Sequence, residues 1–171
     1  MFKLNWRQAA LSIVAILALP AAIASSIPHV TKGSGIITAQ SVYGVQETIE
    51  RLRQDIEHKG IKFFAAIDQA ELGNAAGIKL NPSTLLVFGN PPLGIQFLTA
   101  NPYAGLDWPV RLLVTQNDKG EVWLAYTDFN WIARRHGITN RAPQFKMASE
   151  VIGSITSSVT KKLILTSVRV R

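Results

Sequence analysis

Two side chains in this sequence could move a proton together, Asp107 and His136. Asp68 and Asp128 stand where helix N-caps belong, whereas Asp107, just before Trp108-Pro109, has no obvious local task. His136 falls in the last turn of a helix ahead of Gly137, where an imidazole also suits the helix end through the macrodipole. His58 repeats that arrangement before Gly60, and His29 stands in a linker. A carboxylate and an imidazole form a usual acid/base pair, so Asp107 and His136 are the catalytic candidates if the chain is an enzyme. No Gly-x-Ser-x-Gly elbow marks a nucleophile, and Gly89 and Gly94 lack the Lys-Ser/Thr that completes a phosphate loop. Cysteine is absent, and no closely spaced histidine pair or His-carboxylate cluster occurs, so no metal site is expected.

The alternative chemistry is binding. Trp108, Trp123 and Trp131 with Phe88, Phe97 and Tyr126 could line an apolar pocket, although such residues also serve as core or as a dimer interface. Asn90, Pro91, Asn101, Asp107, Trp108 and His136 are the candidate ligand contacts, in a groove formed from the loops of 89–109. Haem is the sharpest cofactor to consider, with His136 on an apolar helix face and Met147 as a second axial ligand. No Cys-x-x-Cys-His attachment site exists and the helix-end role already accounts for His136, so haem is not expected.

The elements that must position these residues follow from spacing and turn signals. Residues 36–42 suggest a first strand. Val45, Ile49, Leu52 and Ile56 recur at helical spacing, with Gly44 at the N-cap, Glu47 as half of a capping box, and Gly60 as the left-handed terminator. Arg51, Arg53, Asp55 and Glu57 make the opposite, solvated face. Ile61, Phe63, Ala65 and Ile67 alternate as a strand with one core face. Asp68 caps a short helix over 69–76, and 84–88 is an apolar, central strand. Asn90-Pro91 is a helix start, because Asn accepts from first-turn amides and Pro at the first position needs no partner. Asn101-Pro102 repeats the device, with Gly105 closing the turn. Residues 110–116 and 121–126 form a hairpin around Asn117-Asp118-Lys119-Gly120. Asp128 opens a helix carrying Phe129, Ile132, Ala133 and His136 on one face. After a loop with Arg141 and Pro143, the last helix buries Ala148, Val151, Ile152, Ile155 and Val159. The expected architecture is α+β, with helices packed on a mostly antiparallel sheet.

Residues 1–24 combine a basic start, an apolar run broken at Pro20 and Ala22-Ile23-Ala24 before Ser25, the pattern of a cleaved signal peptide. The expected mature chain lies in the periplasm or is secreted, without a permanent membrane anchor. Residues 25–35 read as a mobile linker, 36–165 as a single domain and 166–171 as a frayed basic tail. The net charge is +7, with 18 basic residues against 11 acidic. Lys3 and Arg7 fall in the leader, and the remaining basic residues are scattered, without an aromatic-interleaved stripe. A solvated surface is expected and nucleic-acid binding is not.

Several motifs together carry a resemblance: Leu86-Val87-Phe88-Gly89-Asn90-Pro91, Ala100-Asn101-Pro102, Gly105-Leu106-Asp107-Trp108-Pro109, Gly120-Glu121-Val122-Trp123-Leu124-Ala125-Tyr126 and Ala133-Arg134-Arg135-His136-Gly137. They resemble the family called domain of unknown function 302, over roughly 36–155. The resemblance implies a fold similar to the TATA-binding-protein-like class and a tendency to form homodimers, but no activity. Relatives often carry His where this chain has Gln69, and Pro where it has Phe129. The favoured function is an exported module, acting as a homodimer, that binds a small apolar ligand or a partner. The alternative is a periplasmic enzyme using Asp107 and His136 as acid and base.

Overall fold

A computed structural model describes residues 33–160. The expected signal peptide (1–24), most of the expected linker, the last residues of the expected domain and the expected basic tail (166–171) lie outside the described residues. The elements in chain order are β1 (Ile36–Gln40), α1 (Val45–His58), β2 (Lys62–Asp68), α2 (Gln69–Ala75), β3 (Ser83–Gly89), α3 (Pro91–Ala100), a 3-10 helix (Pro102–Leu106), β4 (Val110–Gln116), β5 (Val122–Thr127), α4 (Phe129–Arg135) and α5 (Ala142–Ser157). The strands form one sheet in the order β1-β5-β4-β3-β2, and every pairing is antiparallel. The fold is therefore α+β, as the alternation of helices with an adjacent hairpin required.

Period-two alternation assigns the two faces of the sheet. Leu86, Phe88, Leu112, Val114, Val122 and Leu124 point to one side and are buried beneath Leu52 and Ile56 of α1, Phe97 of α3, Phe129 and Ile132 of α4, and Phe145, Ile152 and Ile155 of α5. Phe97 stacks on Phe145 with ring centres 4.2 Å apart, which joins α3 to α5 at the centre of this layer. The opposite face carries the cross-strand row Ile67, Leu85, Leu113, Ala125 and Thr38. These residues are half-buried or exposed.

The bounds of α1 match its apolar spacing, and Gly60 ends it at φ +67°. The capping box does not form. Gly44 has no side chain to cap with, and Glu47 instead pairs with Arg51 at 2.9 Å. In β2 the expected single core face is broken by a bulge between Phe63 and Ala65. Ile61 and Phe63 pack toward the helices, but the extra residue turns Ala65 and Ile67 to the other face, leaving Ile67 40 % exposed. Gly105 does not close the turn after Asn101, because the 3-10 helix runs through it and ends with the Asp107 amide donating to Ala104. The last helix begins at Ala142, so Pro143 sits inside its first turn instead of in the preceding loop. Gly35, at the end of the expected linker, accepts from the Asp128 amide at 2.7 Å. A Cβ there would collide with the Trp131 ring.

The Asn-Pro motifs behave as chemistry dictates. Asn90 Oδ1 accepts from the Leu93 amide at 3.2 Å, with Pro91 and Pro92 in the first turn, and Asn101 Oδ1 accepts from the Tyr103 amide at 2.9 Å. Replacing Asn90 with Ala removes one such acceptor and is expected to cost about 1 kcal/mol. Urea melts of the two proteins check this, and equal midpoints would show that Asn90 does not act as a cap.

Candidate functional site

The loop after the 3-10 helix delivers Asp107 to a point where β4 and the end of α4 meet. Asp107 Oδ2 lies 2.7 Å from His136 Nε2 and 3.1 Å from Arg135 Nη1. Oδ1 receives Arg135 Nη1 and Arg111 Nη2, both at 3.2 Å. An ionised carboxylate can only accept, so His136 donates from Nε2. The side chains of Asp107 and His136 are 3 % and 5 % exposed, while those of Arg111 and Arg135 are 49 % and 44 % exposed. Arg111 Nη2 also donates to the Leu106 carbonyl at 2.9 Å, and Arg135 lies 5.3 Å from the Trp131 ring centre. Asn101 Nδ2 completes the node by donating to the His136 carbonyl at 2.9 Å. One buried carboxylate thus fastens the 101–109 loop to a strand and a helix.

His136 was expected to serve the helix end. Its amide does close α4 on Ile132, but its ring turns to Asp107 instead of to the last carbonyls. The two acid/base candidates are therefore hydrogen-bonded partners. Both Asp107 oxygens are already engaged, which leaves neither free to take a proton from a substrate. Among the described residues, no third His, Asp or Glu joins them in a set able to hold a metal ion. Tyr126 lies on the helix-covered face of β5. Burial, with the Asp128 carboxylate adding, pushes its phenol above the ordinary value of 10.0, opposed by a hydrogen bond to Thr156.

Next to the node lies Trp108. Its indole fills a slot between Gly89 and Gly94: a Cβ on Gly89 would stand 3.0 Å from Nε1, and one on Gly94 would overlap the ring. Phe64 meets the same indole edge-on, with ring centres 6.3 Å apart. Beneath it, Phe88, Phe97, Phe129 and Ile152 line a partly open apolar cavity of about 40 Å³. A larger groove of about 440 Å³ lies outside it, walled by Lys59, Asn90, Leu93, Met147, Glu150 and Ser154. Ile61, Asn90, Leu93 and Val151 line both spaces.

Of the expected ligand contacts, Asn90 and Trp108 reach these spaces, Asn90 both of them and Trp108 the inner one. Asn101, Asp107 and His136 converge on one another instead, and Pro91 sits in the first turn of α3. Sequence reasoning passed over Arg111, Arg135 and Gly94. The pair Asp107 and Arg111, four residues apart, was the one local signal available. The contact of Arg135 with Asp107 spans 28 positions and leaves no periodic trace.

An antiparallel five-stranded sheet with α1, α3, α4 and α5 on one face, and a buried Asp–His–Arg node beside it, define an α+β domain. The family model described as "Domain of unknown function DUF302" matches residues 37–158, and the chain belongs to that family. The crystal structure of an uncharacterized conserved DUF302 protein from Bacillus stearothermophilus is similar in fold. Its TM-score is 0.67 at 18 % identity, over 73 % of this chain and 98 % of that one. A protein of Brucella suis biovar 1 (strain 1330) named fluoride-specific ion channel FluC 1 is 36 % identical over 105 residues, which is 61 % of this chain and 41 % of that protein. Fluoride-specific ion channel FluC 2 of Brucella melitensis biotype 1 matches equally, over 39 % of its length. The chain thus spans about two fifths of the curated relatives it matches. No described helix of this chain is long and apolar enough to cross a membrane.

Proposed function

We propose that this protein is an exported, homodimeric module that holds a small apolar or amphipathic molecule in the groove between α3, α5 and the α1–β2 junction. The observation that carries the reading is the groove of about 440 Å³ that shares its wall with an apolar cavity behind Trp108. Its size falls within the usual range for small-molecule sites, and its wall combines the apolar Ile61, Leu93, Met147 and Val151 with the polar Lys59, Asn90, Glu150 and Ser154. Asn90, from the most distinctive motif of the sequence, forms part of that wall. The relatives support a modular role, since the matched region is a minor part of proteins named as ion channels. The enzyme reading has the 2.7 Å Asp107–His136 bond in its favour and the burial of both side chains against it.

The uncovered sheet face supports the dimer. On the central strands β3, β4 and β5, Arg111 is the only charged residue pointing outward, and it stands near the start of β4, toward the end of the sheet where Asp107 lies. Charge depletion of this kind marks the centre of an interface. A second copy stacked on Leu85, Leu113 and Ala125 would bury it.

Native mass spectrometry of the protein isolated from the exported fraction of its own host tests all three parts together. The expected spectrum shows chains beginning at Ser25, in pairs, each retaining a small molecule. Val151→Trp, which fills the groove wall, is expected to release the molecule and keep the dimer. An empty protein, or one that retains its ligand in that variant, overturns the groove as the binding site.

A further inference from the structure

We infer that Arg111 and Arg135 form a separate binding site for a small oxyanion, a carboxylate or a phosphate group, with Asp107 as the residue that positions them. Both bonded guanidinium nitrogens lie 3.2 Å from the same Asp107 oxygen, so they are no farther apart than twice that distance. One carboxylate can neutralise only one of the two cations. The excess positive charge faces solvent, because Asp107 is 3 % exposed and the arginines nearly half. Burial of Asp107 alone would require one good partner, and holding two guanidiniums at a common point is more than a staple needs.

The donors left over suit an oxyanion. A guanidinium carries five N–H groups in a fixed fork, and this fork matches two oxygens of a carboxylate or phosphate. Arg111 spends Nη2 on Asp107 and Leu106, and Arg135 spends Nη1 on Asp107. The remaining nitrogens of both are without a protein acceptor in the described structure. Arg135 is further fixed by the Trp131 face, itself packed on Gly35. A guanidinium held in place loses less conformational freedom on binding, which favours capture. Beside Arg111, a void of about 10 Å³ bounded by Asp107, Thr127 and Phe129 gives roughly the room one oxygen atom needs.

The test is NMR of the arginine Nε–Hε signals during titration with sodium phosphate and, separately, sodium acetate, with ionic strength held constant by sodium chloride. Arg111 and Arg135 are expected to shift and saturate with at least one of the two anions. Arg51 and Arg53, paired with Glu47 and Glu57 on the surface of α1, serve as controls and are expected to stay still. The anion that binds more tightly identifies the carboxylate or the phosphate as the natural group. Arg135→Lys keeps the charge but loses the fork, and is expected to weaken binding roughly tenfold. Arg111→Gln, at a half-exposed position, is expected to abolish saturation at Arg135 without unfolding the protein. The groove variant Val151→Trp is expected to leave the titration unchanged, which separates this site from the apolar one. Shifts that rise linearly, or that are equal at all arginines, would reduce the site to general screening and overturn the proposal.

Discussion

Replacing Asp107 with Ala is expected to lower the stability of the folded domain by about 3 kcal/mol, the lower end of the range for breaking a buried ion pair. The lower end applies because Arg111 and Arg135 are nearly half exposed and regain water when the carboxylate is lost. His136 has no such recourse. Its side chain is 5 % exposed, so its Nε2 would face the space left by the carboxylate with no acceptor in place. The 101–109 loop would also lose its tie to α4, apart from the Asn101 bond to the His136 carbonyl. Asp107→Asn should cost clearly less, because the amide keeps the shape and one acceptor, and the imidazole can change tautomer to meet the new N–H. Guanidinium denaturation of the three proteins at neutral pH gives the comparison. A loss below about 1 kcal/mol for the Ala variant would place the node among ordinary surface ion pairs.

Much of this fold could be read from local patterns, for a physical reason. The span of α1 follows from one apolar stripe and a glycine that adopts a positive φ, both contained within sixteen residues. The hairpin of β4 and β5 follows from Gly120, which adopts φ +78° after Asn117 organises the loop with its side chain. The bulge in β2 could not be read. Residues 61–67 are apolar enough on both faces that a slipped strand carries the same pattern as a regular one.

The site was legible in half. Asp107 stood out because no neighbour in sequence explained it, and two of its three side-chain partners, Arg135 and His136, are indeed distant ones. Which partners it would meet depends on how the end of α4 is laid beside the 101–109 loop, and that is settled by the packing of Phe129 and Ile132. Arg111 and Arg135 were indistinguishable from other surface arginines until that packing was known. The Phe-Gly-Asn-Pro and Asp-Trp-Pro motifs likewise looked like separate turn signals. They are two halves of one device, since Gly89 and Gly94 shape the slot that the Trp108 indole occupies.

That slot carries the other large expected effect, in Gly94→Ala. In most helices this change stabilises, by about 1 kcal/mol, because alanine is the better helix former. Gly153 in α5 is such a case: an added Cβ meets nothing within 4 Å, and Gly153→Ala should raise stability by about 0.4–1 kcal/mol. At Gly94 the same Cβ falls well inside the 3.0 Å limit below which real Cβ contacts do not occur, against Nε1, Cε2 and Cδ1 of Trp108. A rigid bicyclic ring cannot yield there by bending one end. It must leave its place between Gly89, Gly94 and Phe64, and it would pull on Asp107, its neighbour in the chain. Overpacking of this kind costs about 1–3 kcal/mol, and the loss of the buried indole adds to it, so the clash outweighs the gain in helix propensity. A net loss of about 2 kcal/mol is expected, opposite in sign to the effect at Gly153. The cause is separable in a double-mutant cycle with Trp108→Leu, which leaves room for the methyl group. If the indole is what Gly94 accommodates, Gly94→Ala should be nearly neutral or stabilising in the Trp108→Leu background, giving a coupling well above about 0.5 kcal/mol. Equal effects of Gly94→Ala in both backgrounds would show that the glycine serves something other than the tryptophan.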